Sequence, residues 1–190
     1  MSYGFRLNVE DIFLKNAEES WNKSILLMSD IEDENIDSME RFYFKGPKDE
    51  ESISHCVFAL TGWAICLESF INLAWNTNQY TQDDEENLKK YNTLQKIKHL
   101  LKINNYELSR YNWISDIKRL FKERNDLLHY KDIIEYQGFT FAPKYQKILS
   151  YENLKSFREA VFKCIETIAQ IDDLDIKLLN TEYELFTYDE

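Results

Sequence analysis

Apolar residues recur along most of this chain at intervals of three and four, the spacing that lines one face of an α-helix. Phe13, Ala17, Trp21, Ile25 and Met28 set the first run. Asn8 stands where it can cap that helix, and Glu10 and Asp11 follow where the helix dipole favours acids. Residues 29–51 lose the period and turn acidic around Arg41-Phe42-Tyr43-Phe44, so they read as a long connection whose aromatics pack back onto the helices. Residues 52–76 are apolar almost all round, as a helix enclosed by others must be, with Thr61, Glu68 and Asn72 in one narrow arc. A polar, acidic loop at 78–87 precedes a third helix, which begins at Asn87 or Thr93 and ends at Ile103. It turns Leu94, Ile97, Leu100 and Leu101 inward and Lys96, Lys98 and Lys102 outward. A fourth helix covers 111–130. The last starts after Ser150, a capping residue, and carries Leu154, Phe157, Val161, Cys164, Ile165, Ile168 and Ile171 as a packing seam. Between these two, 133–141 is rich in β-favouring residues around Gln137-Gly138 and suits a short β-hairpin or an extended loop that Pro143 ends.

The pattern predicts an all-α fold, an up-and-down bundle of four to five core helices. Only 4 glycines and 2 prolines in 190 residues reinforce it, because turn-rich β folds and glycine-rich phosphate loops need more of both. The length suits a single domain: an N-terminal helix and connection at 1–50, a core at 51–174 and an acidic tail at 175–190, with one further docked segment at 183–188. Residues 52–76 approach the length of a membrane span, yet Glu68 and Asn72 near the middle and the lack of flanking basic residues argue against one. Residues 1–15 show no basic start followed by an apolar run, so the expectation is a cytoplasmic protein with no membrane partner.

Charge changes the picture in one place. The net charge is -11, unfavourable for a general nucleic-acid coat, but residues 96–131 hold nine basic residues against four acids. The opposite holds at 166–190, with eight acids against Lys177. Either the basic stretch is an ordinary solvated face or it receives an anionic ligand. Cys56, Cys66 and Cys164 are odd in number and set among apolar residues, which favours buried free thiols in a reducing compartment. His55, His99 and His129 lack metal-ligand spacing, and the acidic runs 83–86 and 172–175 read as solvated charge, so no metal and no cofactor is expected. Walker, dinucleotide-binding, CxxC and HExxH patterns are missing.

The fourth helix carries the chemistry. Trp113, Ile114, Ile117, Leu120, Phe121, Leu127 and Leu128 form its apolar stripe, and Arg124 falls at the stripe's centre between Phe121 and Leu128. An arginine in that position needs a partner or a use. Glu68, on the polar arc of the second helix, is the partner expected. Asn125 and His129, four apart, share a face that borders the stripe.

Arg124-Asn125-x-x-x-His129 resembles the R-x(4–6)-H signature of the HEPN domain superfamily, including the polar residue that follows the arginine. Residues 64–72 look like that family's central helix, 94–97 like the segment before its motif helix, and Tyr130-Lys131 like a familiar continuation; the resemblance spans roughly 52–174. It implies a homodimer in which two motifs face one cleft, and in many members a metal-independent endoribonuclease. It further implies an RNA substrate, a toxin–antitoxin, abortive-infection or antiviral defence setting, and an antitoxin or other defence-system protein as partner. In toxins held by a nucleotidyltransferase antitoxin the pattern continues H-x-Tyr, and that tyrosine is adenylylated. Here Tyr130 follows His129 directly and Lys131 holds the expected place, which puts that mode of control in doubt while leaving Tyr130 a target.

The residues support the same chemistry. RNA brings its own nucleophile, the 2′-hydroxyl, so a protein needs to move protons and stabilise phosphoryl charge. Histidine, with an ordinary pKa of about 6.5, suits the first task, and arginine's charged fork the second. His129 is therefore assigned to proton transfer, Arg124 to phosphate charge and Asn125 to orientation, with Glu68, Asn72, Lys122 and Tyr130 as supporting candidates. Arg124 and His129 are separated by about 140° on a regular helix, so either the helix unwinds before His129 or two copies combine their groups. The other reading is a non-catalytic module, which uses the apolar seam or acidic tail to bind a protein, or its cleft to bind a nucleotide.

Overall fold

The computed structural model describes residues 9–29, 50–77, 90–129, 134–137 and 140–172. They are mostly helical, as the spacing predicts. Helix α1 spans Val9–Ser29, α2 Glu50–Thr77, α3 Thr93–Ile103, α4 Trp113–Leu128, α5 Lys144–Ile148 and α6 Tyr151–Asp172. The cap expected of Asn8, the aromatics of the 29–51 connection, the start at Asn87 and the docked segment at 183–188 lie outside the described residues.

Helix α2 is the axis of the molecule, in contact with α1, α3, α4 and α6. Cys56, Ala59, Leu60, Trp63, Ala64, Cys66, Leu67, Phe70, Ile71 and Ala74 are all buried along it. Each large side chain among them contributes about 1.5–3 kcal/mol on burial. Its length and composition would also allow it to cross a membrane, but the other helices cover most of it. Helix α1 packs most closely of all. A Cβ on Gly62 would lie 2.9 Å from the Ala17 Cβ and 3.1 Å from the Phe13 carbonyl oxygen, so only glycine lets the two backbones approach this far. Helix α2 also meets α6, whose seam residues Leu154, Phe157, Val161, Cys164, Ile165 and Ile168 are buried.

Local sequence accounts for the ends of α3. Asn92 and Gln95 form a capping box, the Asn92 side chain accepting from the Gln95 amide at 2.9 Å and the Gln95 side chain from the Asn92 amide at 2.8 Å. At its C-terminus Asn105 adopts φ 62, while the amides of Asn105 and Tyr106 donate to the carbonyls of Lys102 and Leu101. This Schellman turn redirects the chain through a 3-10 turn at Leu108–Arg110 into α4. Beyond α4, β1 (Ile134–Gln137) and β2 (Thr140–Pro143) pair antiparallel, Ile134 opposite Pro143. The short α5 then leads into α6, an element that no periodicity marked.

Two inward and outward assignments differ from the pattern. Leu128 is 61% exposed, because α4 ends there, whereas Leu127 beside it still packs partly against the core. Lys96 does not point away from the bundle; it is half-buried, and its Nζ donates to the Asn72 Oδ1 at 2.6 Å while lying 5.6 Å from the Trp75 ring centre. A long aliphatic stem lets lysine cover apolar surface and still place its charge on a polar atom.

Candidate functional site at the end of α4

Helix α4 is anchored by its first half. Trp113, Ile117 and Leu120 are buried, while Phe121 and Leu127 pack partly against the core. That anchoring fixes the rotation of the last two turns, so Asn125 and His129 face outward and Arg124 turns towards α2. The Arg124 Nη1 lies 3.5 Å from the Glu68 Oε2, and the guanidinium packs 5.4 Å from the Phe121 ring centre. Its Nε and Nη2 both donate to the Asn125 Oδ1, at 3.2 and 3.0 Å. The partner expected of Arg124 is thus present, but at the surface: the Arg124 side chain is 19% exposed and that of Glu68 is 47%.

The helix terminates before His129. The His129 amide donates to the Asn125 carbonyl at 3.0 Å, and its backbone (φ -106, ψ 28) has left the helical region. Its ring is exposed, and among the described residues its side chain has no hydrogen-bond partner. An imidazole in this setting is open to a ligand from solvent.

The structure brings Arg124, Asn125 and Glu68 together, with His129 at the following turn. It does not bring in Asn72, which Lys96 holds, nor Lys122, whose Nζ donates to the Asp126 Oδ2 at 2.9 Å on the next flank. Tyr130 lies outside the described residues. No group of His, Cys, Asp or Glu side chains among the described residues could hold a metal ion.

Two polar networks escaped the sequence pattern. Glu18 of α1 is buried and accepts from the Trp63 Nε1 at 2.8 Å; Arg158 of α6 donates to it from Nε at 2.8 Å and from Nη2 at 2.6 Å. This fork ties three helices together. Glu18, one residue after Ala17 on the inward side of α1, was the available signal. In the second network, Arg119 of α4 bonds Asp116 at 3.1 Å and also donates to the Asn153 Oδ1, while the Asn153 Nδ2 donates to Glu123 at 2.6 Å and to the Ile148 carbonyl at 2.9 Å. Here spacing could show the Asp116–Arg119 and Arg119–Glu123 pairs, three and four residues apart, but not Asn153, which arrives from another helix.

Cys56, Cys66 and Cys164 are buried free thiols. Burial pushes the Cys66 thiol far above its ordinary pKa, helped by the nearby carboxylates of Glu10, Asp11 and Glu18; burial alone does the same at Cys164. Neither serves as a nucleophile in this state.

No protein-family model, no characterised protein and no solved structure matches this chain.

Proposed function

We propose that the chain is a metal-independent endoribonuclease of the HEPN type, cytoplasmic and acting as a homodimer. The observation that carries this reading is the open imidazole of His129, one turn from an arginine already oriented by Glu68 and Asn125. Arg124 binds the scissile phosphate and stabilises the charge that grows on its oxygens; His129 accepts the proton of the 2′-hydroxyl and gives a proton to the leaving 5′-oxygen. The 2′-oxygen attacks the phosphorus, the bond to the 5′-oxygen breaks, and a cyclic phosphate remains on the 3′ side of the upstream nucleoside. No metal enters this scheme. The HEPN-type bundle, the two-copy cleft, and an antitoxin or other defence partner belong to the same proposal and rest on the resemblance of the Arg124–His129 motif and its flanks.

The test is RNA cleavage in EDTA by purified wild-type protein and by His129→Ala. Loss of about 10²–10⁴ in rate is expected for removal of a general acid–base group. Equal rates would overturn the assignment. A non-catalytic interaction module is favoured by a different observation: Phe58 on α2 and Leu128 on α4 are 64% and 61% exposed, apolar surface of the kind that protein partners cover. On that reading wild-type protein leaves RNA intact in every buffer.

A further inference from the structure

We infer that the groove between α4 and the start of α6 is a nucleobase subsite, which takes a base of the bound RNA beside the Arg124–His129 end and favours bases with an exocyclic amino group. The inference rests on the ribonuclease reading for the identity of its ligand. Position is the first argument. The groove, of about 510 Å³, is walled on one side by Arg119, Lys122, Glu123 and Asp126, the turns of α4 that run directly into the motif. Lys122 is seven residues from His129, about 10 Å along the axis, so a strand held at His129 passes the groove within a short run of nucleotides.

The second argument is which groups are already committed. Arg119, Glu123 and Asn153 bond one another across the groove and hold its walls, and Lys122 is joined to Asp126. Opposite them the side chains of Lys147, Ser150, Glu152 and Ser156 line the same space with no partner among the described residues. One cationic donor, one carboxylate and two hydroxyls thus remain for a ligand. Charge is the third argument. The lining holds three basic and three acidic side chains, so a phosphate gains no net attraction there. A neutral heterocycle with donors and acceptors on its edge matches such a surface, and the volume lies within the range of small-ligand sites. Among the lining carboxylates Glu152 is the uncommitted one, and a carboxylate reads an amino group such as that of cytosine.

Two measurements test this. In the first, the full chain is titrated with AMP, GMP, CMP and UMP while amide and side-chain NMR signals are followed. Shifts are expected at Ser150, Glu152, Asn153 and Ser156, larger for the three amino-bearing nucleotides than for UMP. Shifts elsewhere only, or none, overturn the inference whether or not the protein cleaves RNA. In the second, cleavage of RNAs that differ in one base next to the scissile bond is compared between wild type, Glu152→Gln and Ser156→Phe. Glu152→Gln, an exposed change that leaves folding intact, should reduce the preference against uracil by about tenfold, the effect of one charged hydrogen bond. Ser156→Phe fills the groove and should abolish base preference. Unchanged preference in both variants overturns the inference and leaves the ribonuclease reading standing; nucleotide shifts in the groove of a protein that cleaves no RNA do the reverse.

Discussion

Arg124 lies on a helical line with Leu120 one turn before it, fully buried, and Leu128 one turn after, mostly exposed. The line leaves the core between them, and that exit is what lets an arginine occupy it. Its guanidinium packs over the Phe121 ring and reaches Glu68 on the rim of α2. The need for a partner was legible from the sequence, and Glu68 was identifiable because it interrupts an apolar helix. Its degree of exposure was not legible, since that depends on where neighbouring helices stop. Exposure sets the expected effect of Glu68→Ala. A pair screened by water contributes under about 1 kcal/mol, so thermal stability should change little. RNA cleavage should fall by about tenfold, because Arg124 loses the contact that orients it. Comparing melting temperature with kcat/KM separates the two effects; a large drop in stability with unchanged cleavage would make the pair structural.

The buried thiols lead to a residue-scale expectation with a defined sign. Folding raises the pKa of Cys66 and Cys164 above the ordinary value of 9.0, so the folded state retains protons that the unfolded chain releases. Below pH 9 both states are protonated and the contribution to stability is fully present. As pH climbs beyond 9 the unfolded chain ionises first, and stability declines. Urea midpoints between pH 8 and pH 10 should therefore fall less steeply for Cys66→Ala/Cys164→Ala than for wild type, the comparison that removes the background of tyrosines and lysines.

At the scale of elements, legibility followed the strength of the period. Helices α1, α2 and α6 were readable because a long apolar face leaves few alternatives, whereas the period left the start of α3 open between Asn87 and Thr93, and the Asn92–Gln95 capping box sets it at Thr93. The short α5 was not readable, since five residues are too few to establish a period. The closeness of α1 to α2 was equally hidden. Gly62 looks like an ordinary weak point of a helix in sequence, and only the 2.9 Å approach to Ala17 explains it. Gly62→Ala improves helix propensity by about 1 kcal/mol in isolation. Here the added methyl must push two backbones apart, which costs about 1–3 kcal/mol and wins over propensity. A lower denaturation midpoint is expected for Gly62→Ala, partly restored by Ala17→Gly, which removes the opposing Cβ. No restoration in the double variant would mean that the clash is taken up elsewhere.

For the whole molecule the decisive geometry is the divergence of Arg124 and His129. Helix α4 ends at Leu128, which frees the His129 backbone, yet Arg124 remains turned to Glu68 on α2 while His129 faces solvent. One copy therefore offers the two groups in different directions, and the proposed homodimer would resolve this by setting the arginine of one protomer against the histidine of the other. The exposed Leu128 beside the motif supplies apolar surface for such a contact. This arrangement makes a prediction that no single-copy site shares. Arg124→Ala and His129→Ala proteins are each inactive alone, but when unfolded together and refolded as a mixture, heterodimers carry one cleft with both groups intact. Random pairing puts half the molecules in that form with one working site of two, so about a quarter of wild-type cleavage should return. The assay is RNA cleavage in EDTA against refolded single variants. Activity at the level of the single variants would place both groups in one copy and require the end of α4 to move on binding RNA.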